Sequence, residues 1–244
     1  ALIQKYFRKL TYNNPSALDL NDDVFFDKKN GVVVSSDTYV EGIHFFNFRN
    51  PDLVIKKIVR SSISDLYCKG LNPKFIFIGA CGNNISFSKK NMDLVYKSLK
   101  QEQKKYKFKL SGGDTTKSNK TVFTITSLGY AKKIVQRNKC KNNDDIYVTG
   151  NLGDSYLGLS ILRKKSFLKN SKQRKYFIQK YYMPDIPLKI GSKLIKFANS
   201  SIDISDGLFA DLSKLINTSK LFFKLDLKKI PISSKLNTYL IKTN

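Results

Sequence analysis

The 244-residue sequence is short of most groups that advertise an enzyme's chemistry. It has one histidine, His44, and three cysteines, Cys68, Cys81 and Cys140, far apart and with no Cys-x-x-Cys pair. A lone histidine leaves little room for a Ser-His-Asp or Cys-His nucleophile set. The scattered cysteines exclude a zinc knuckle and a disulfide framework, and they fit a reducing, cytoplasmic compartment. No apolar run approaches the ~20 residues of a membrane-spanning helix, and the opening Ala1-Leu2-Ile3-Gln4-Lys5 carries no secretory pattern, so neither membrane nor export is expected. The common nucleotide signatures are missing too: there is no G-x-x-x-x-G-K-[ST] loop, no G-x-G-x-x-G, and no H-R-D or D-F-G.

Arginine and glutamate are also scarce. The net charge of +25 invites a nucleic-acid reading, but 38 of the 44 basic residues are Lys and only six are Arg. Arginine makes the bidentate contacts of specific base and phosphate recognition, and the lysines run the whole length beside many Asn and Ile. The excess therefore reads as a solvated basic surface from compositional bias, not a nucleic-acid site.

Of 19 acidic residues only Glu41 and Glu102 are Glu. Seven of the aspartates, Asp22, Asp23, Asp37, Asp65, Asp114, Asp203 and Asp206, sit in short motifs beside small or hydroxyl residues, mostly at the ends of apolar runs. Carboxylates placed this way in a basic chain suit hard divalent cations, which take oxygen ligands.

Short β-rich runs alternate with amphipathic helices. Strands are expected at 32–34, 74–78, 108–110 and 121–128, with helices at 51–69 and 88–106. The Lys/Asn-rich stretch 132–145 lacks apolar periodicity and reads as a boundary between an N-terminal domain, 1–135, and a C-terminal domain, 136–244. In the second part, strands are expected at 145–150 and 202–204, with helices at 155–165, 174–182, 188–198 and 207–216. The fold class is α+β in two parts, the second an α/β domain.

Two motifs carry the strongest chemical signal. In Ser111-Gly112-Gly113-Asp114-Thr115-Thr116, two glycines would let backbone N–H groups approach a phosphate, with Asp114 on its metal. In Ile202-Asp203-Ile204-Ser205-Asp206-Gly207, carboxylates three apart flank a turn into a helix whose N-terminal end suits an anion. Ser35-Ser36-Asp37-Thr38 at a strand's end offers hydroxyls beside a carboxylate. Asp65, in the last turn of its helix, opposes the helix dipole and so needs another reason to be there. Several aspartates and no base–nucleophile pair point to metal-dependent phosphoryl transfer.

In this order the motifs resemble the thiamine-monophosphate kinase family of the aminoimidazole ribonucleotide synthetase superfamily. The carrying residues are Asn21-Asp22-Asp23, the run from Ser35 to Phe45 (including Asp37-Thr38-Tyr39-Val40-Glu41-Gly42-Ile43-His44-Phe45), Ser64-Asp65-Leu66, Gly112-Gly113-Asp114-Thr115-Thr116, Tyr147-Val148-Thr149-Gly150 with Leu152-Gly153-Asp154, and Ile202 to Leu208. The resemblance runs to about Leu227. It implies transfer of the ATP γ-phosphoryl group to thiamine phosphate by direct in-line displacement, assisted by several Mg²⁺ ions. It implies a homodimer pairing through the mixed sheets of the N-terminal domains.

Carried over residue by residue, Asp23, Ser35, Ser36, Asp37, Asp65, Asp114, Asp203 and Asp206 are the implied metal ligands, with Asp114 and Asp206 central to catalysis. Gly112, Gly113, Asp114, Arg137 and Ser205 would contact ATP, and His44 the thiamine phosphate. The family usually has Gly where Asn21 stands and Thr where Ser36 stands. It continues with a Gly-Gly-Glu-Asp-Tyr-Glu type segment and a C-terminal aromatic beyond Asn244, so the chain reads as a fragment or shortened form with an incomplete C-terminal domain. The rivals are another ATP-dependent enzyme of the superfamily and a non-catalytic basic nucleic-acid-binding protein.

Overall fold

Alternating burial along two nine-residue strands sets the architecture. In β2 (Val32–Val40) and β5 (Val122–Tyr130), Val33, Ser35, Tyr39, Phe123, Ile125 and Ser127 turn to one face, and Ser36, Thr38, Thr124 and Thr126 to the other. The computed structural model describes residues 2–243. It joins these strands to β1 (Phe25–Asp27), β3 (Phe75–Gly82) and β4 (Lys109–Lys117) in a five-stranded sheet of order β1-β2-β5-β3-β4. The pairs are antiparallel except β3–β4, which is parallel, so the sheet is mixed. The parallel pair requires a crossover, and the helix before β4 supplies it.

Short helical segments at Leu2–Tyr6 (α1), Arg8–Thr11 and Pro15–Leu20 precede the sheet. Two long helices cover its apolar face. Helix α2 (Pro51–Cys68) starts on a proline, whose missing N–H is harmless in the first turn, and buries Val54, Ile55, Ile58, Val59 and Ile63. Helix α3 (Lys89–Tyr106) follows Ser88, ends at a left-handed Lys107 and inserts Val95 and Tyr106. With Ile76, Phe123 and Ile125 these residues form the main core. A smaller cluster of Val24, Phe26, Val33, Leu66, Leu71 and Ile134 lies at the β1 end.

The second half contains α4 (Asp154–Leu162), α5 (Ser171–Tyr182), α6 (Leu208–Leu215) and α7 (Ser234–Thr243), with a 3₁₀ segment at Gly191–Lys196. Buried Asp154 accepts hydroxyl bonds from Tyr176 and Ser233, each at 2.7 Å, joining α4, α5 and the approach to α7.

Four expectations are corrected here. Residues 145–150 and 202–204 form no strand among the described residues, so the expected C-terminal α/β layering reduces to helices and loops. Each segment lacks a neighbouring strand to complete a ladder, and 201–203 is held by the side chains of Ser64 in α2 and of Lys69 just after it instead. The helix expected at 188–198 is a short 3₁₀ segment. Ser35 to Thr38 lie inside β2 and not at its end, because β2 pairs with β5 through Val40. Likewise the strand expected at 108–110 runs on through 111–116 as part of β4.

Candidate active site

The C-terminal end of α2 carries Ser64, Asp65 and Cys68, and the chain then presents Lys69. Asp65 would be unfavourable in this last turn on dipole grounds alone. Its placement is explained by what it meets: Ser35 donates a short hydrogen bond to Asp65 Oδ2, and Asp37 on the same face of β2 faces it. Ser64 Oγ donates to Asp203 Oδ2 at 2.6 Å, bringing the 201–206 segment across from the second half. Asp37, Asp65 and Asp203 thus converge from three separate motifs. Burial raises the pKa of each above the ordinary carboxylate range, and mutual repulsion adds to this for Asp65 and for Asp37 beside Asp203. Among the described residues none of the three makes an ion pair.

Asp22 and Asp23 adjoin this trio but are already engaged by cations. Lys69 Nζ lies 2.8 Å from Asp22 Oδ1 and 2.6 Å from Asp23 Oδ2. The backbone N–H of Arg137 donates to Asp22 Oδ2 at 2.8 Å, and the Arg137 guanidinium binds both oxygens of Asp23. Asn21, in the same loop, exchanges two amide hydrogen bonds with Asn217. The Cys68 thiol, pushed up by burial and so kept protonated, joins oxygens of Asp23 and Asp203 within 4.8 Å of one another.

Strand alternation separates the other expected ligands from this cluster. Ser36 points to the opposite face of β2, where its hydroxyl meets Thr126 Oγ1 at 2.9 Å. Asp114 pairs in register with Gly79 of β3 on that same face, is exposed, and accepts from the N–H of Thr115. Within one chain, then, Ser36 and Asp114 are not brought together with Ser35, Asp37, Asp65 and Asp203. The glycines before Asp114 also have a structural reason: a Cβ on Gly113 would fall 1.9 Å from the Ile78 carbonyl oxygen of β3, and one on Gly112 3.0 Å from the Phe77 ring. Close strand approach by itself requires glycine there.

The turn into α6 is ordered from within the chain. Asp211, in the first turn and almost fully buried, accepts the N–H groups of Ser205, Asp206 and Gly207 on Oδ2 at 2.9, 3.0 and 3.1 Å. The amides of 205–207, just ahead of the helix, are thus already taken by the chain's own carboxylate. Lys214 Nζ bridges Asp211 Oδ1 at 2.7 Å and the exposed Asp206 Oδ2 at 2.6 Å.

His44 lies in the 41–45 turn after β2. Its Nδ1 accepts the N–H of Val40 at 3.0 Å, which assigns the neutral ring's proton to the exposed Nε2. Tyr181 of α5 donates to the His44 carbonyl.

The residues sequence reasoning missed are Lys69, Asp211 and Ser64 as partners of the aspartates. A lysine at a helix C-terminus reads as an ordinary dipole partner and gave no signal. A solitary Asp among Leu208, Leu212 and Leu215 is a polar residue within an apolar helix, and that pattern marks Asp211.

The carboxylates Asp37, Asp65 and Asp203 and the hydroxyls of Ser35 and Ser64 supply the oxygen donors that magnesium prefers, while among the described residues the acid and thiol ligand atoms that all lie within 4.8 Å of one another are those of Asp23, Cys68 and Asp203. The family description "AIR synthase related protein, N-terminal domain" matches residues 20–131. Thiamine-monophosphate kinase of Buchnera aphidicola subsp. Acyrthosiphon pisum is 36% identical over 96% of this chain and 74% of that protein. Thiamine-monophosphate kinase of Haemophilus influenzae is 32% identical over 98% of this chain and 74% of its own length. Among solved structures, the thiamine monophosphate kinase of Aquifex aeolicus superposes with a TM-score of 0.83 at 26% identity, covering 98% of this chain and 82% of that one. The AaThiL complex with AMPPCP and TMP gives 0.86 at 26% identity, covering 96% and 75%. On this identity and coverage, the chain belongs to the thiamine-monophosphate kinase family and is a phosphotransferase.

Proposed function

We propose that the protein transfers the γ-phosphoryl group of ATP directly to thiamine phosphate, giving thiamine diphosphate and ADP. The carrying observation is the convergence of Asp37, Asp65 and Asp203, half-buried and without ion pairs, in a chain of this family. A related complex containing AMPPCP and TMP supports the choice of substrates.

Magnesium ions held by Asp37, Asp65 and Asp203, with further ligands from Asp23, Ser35, Ser36, Asp114 and Asp206, would neutralise the phosphates and orient them. The acceptor is a phosphate oxygen, largely ionised near neutrality, so the chain needs no general base and positioning supplies most of the rate. In this reading Gly112, Gly113, Asp114 and Ser205 face the nucleotide, and Arg137 contributes donors beyond those that hold Asp23. His44 offers its Nε2 proton to the thiamine phosphate. The open sheet face with Ser36, Thr38, Thr124, Thr126 and Asp114 is the surface through which two copies would pair, giving a homodimer with nucleotide groups near the seam.

The test is incubation of the full chain with Mg-ATP and thiamine phosphate, following thiamine diphosphate by chromatography. Product that disappears on chelation is the expected result. A folded, ATP-binding protein that makes none overturns the substrate assignment.

A further inference from the structure

Lys69 is the residue after α2, and its side chain is fully buried beneath the acidic cluster. Its ammonium has three protons and three acceptors: Asp22 Oδ1 at 2.8 Å, Asp23 Oδ2 at 2.6 Å and the Ser201 carbonyl at 3.0 Å. A buried ammonium is tolerated only when paired and hydrogen-bonded in this way. Arg137 completes the balance by holding both oxygens of Asp23 and the second oxygen of Asp22. Two carboxylates thus meet two cationic side chains, and this half of the cluster is neutral. The other half differs: Asp37, Asp65 and Asp203 accept from the neutral hydroxyls of Tyr39, Ser35 and Ser64.

We propose that Lys69 is a positioning residue that acts as a built-in monovalent cation on Asp22 and Asp23, and so keeps a divalent cation from bridging those two carboxylates. This rests on the metal-dependent reading above and deepens it. An ammonium anchored by its own chain occupies the point between Asp22 and Asp23 where an ion would bridge them. It also lowers the negative field on Asp203, which it faces electrostatically. The cluster therefore takes fewer divalent ions than its carboxylate count suggests.

The test counts bound Mn²⁺ on the full chain by the loss of the free-ion EPR signal, for wild type and Lys69→Met, with each protein also melted with and without Mn²⁺. The expected result is one additional Mn²⁺ equivalent in Lys69→Met, together with a larger Mn²⁺-induced rise in Tm than wild type shows. A purely structural lysine would lower Tm without changing the count. An unchanged count in a folded variant overturns the proposal, as does a variant that stays unfolded in saturating Mn²⁺, because an ion could not then replace the ammonium. Wild-type protein that binds no Mn²⁺ overturns the metal reading itself, a separate failure visible before the variant is made.

Discussion

Ser64 Oγ donates to Asp203 Oδ2 at 2.6 Å across 139 residues of sequence, and this bond links the end of α2 to the segment that leads into α6. A hydroxyl bond to a half-buried carboxylate favours the ionised form, and it partly offsets the desolvation that raises the Asp203 pKa. Replacing Ser64 by Ala should cost about 2 kcal/mol, within the range for hydrogen bonds to charged groups. Urea denaturation at neutral pH measures the loss, and NMR titration should show Asp203 binding its proton more tightly than in wild type.

Asp65 gives the pH dependence its sign. Its pKa in the folded chain stands well above the unfolded 3.8, mainly through burial and then through Asp203 and Asp37. Between those two values the native state holds the extra proton, so this group's contribution to stability is fully present below 3.8 and is lost as pH rises through the folded pKa. Asp65→Asn mimics the protonated side chain and can still accept from Ser35. In EDTA it should melt higher than wild type at neutral pH, with the gain vanishing below about pH 4. Its Mg²⁺-induced rise in Tm should be smaller than that of wild type.

Asp211 organises the turn that presents Asp203, Ser205 and Asp206. Asp211→Ala releases three amides and frees Lys214 from one of its two partners. Such a change resembles the loss of a strong helix cap and should cost about 2 kcal/mol. Asp211→Asn retains an acceptor oxygen and should lose less. Denaturant melts rank the variants, and amide hydrogen exchange at residues 205–207 should quicken most in Asp211→Ala.

Away from the site, Arg60 and Glu102 form a two-bond ion pair at 2.8 and 2.9 Å between α2 and α3, with side chains only 7% and 2% exposed. Removing one partner strands a buried charge. Glu102→Leu should cost about 3–5 kcal/mol, whereas Arg60→Met with Glu102→Leu together should recover most of the loss. A double-mutant cycle by chemical denaturation checks both values, and Mg²⁺ binding should be unaffected by the double change.

Residue order alone specified the N-terminal elements well. The apolar spacing of Val54, Ile55, Ile58 and Ile63, with Pro51 at the start, defines α2 within a residue of its observed end. The run Thr121 to Leu128 locates β5 through its β-branched residues. The acidic motifs were also legible, because short Asp-bearing segments among small residues stand out in a chain so poor in acids. Strand extent was less legible: β2 and β4 continue through Ser35–Val40 and Ser111–Lys117 because neighbouring strands supply hydrogen bonds that polar or glycine-rich residues do not advertise. In the second half, 145–150 and 202–204 have strand composition but no ladder to join, so local propensity did not decide their state.

From the sequence came the identity of the aspartates, their motif order and the resemblance that both suggest. Which of them meet was left to the tertiary structure. Period-two alternation sends Ser35 and Asp37 to one face of β2 and Ser36 to the other. Chain folding brings Asp65 and Asp203 to Asp37 from far along the sequence. Only the packed interior reveals that Lys69 and Arg137 already neutralise Asp22 and Asp23. The reason is physical: a buried charge must find its counter-charge wherever the fold places one, and that pairing has no local signature in the chain.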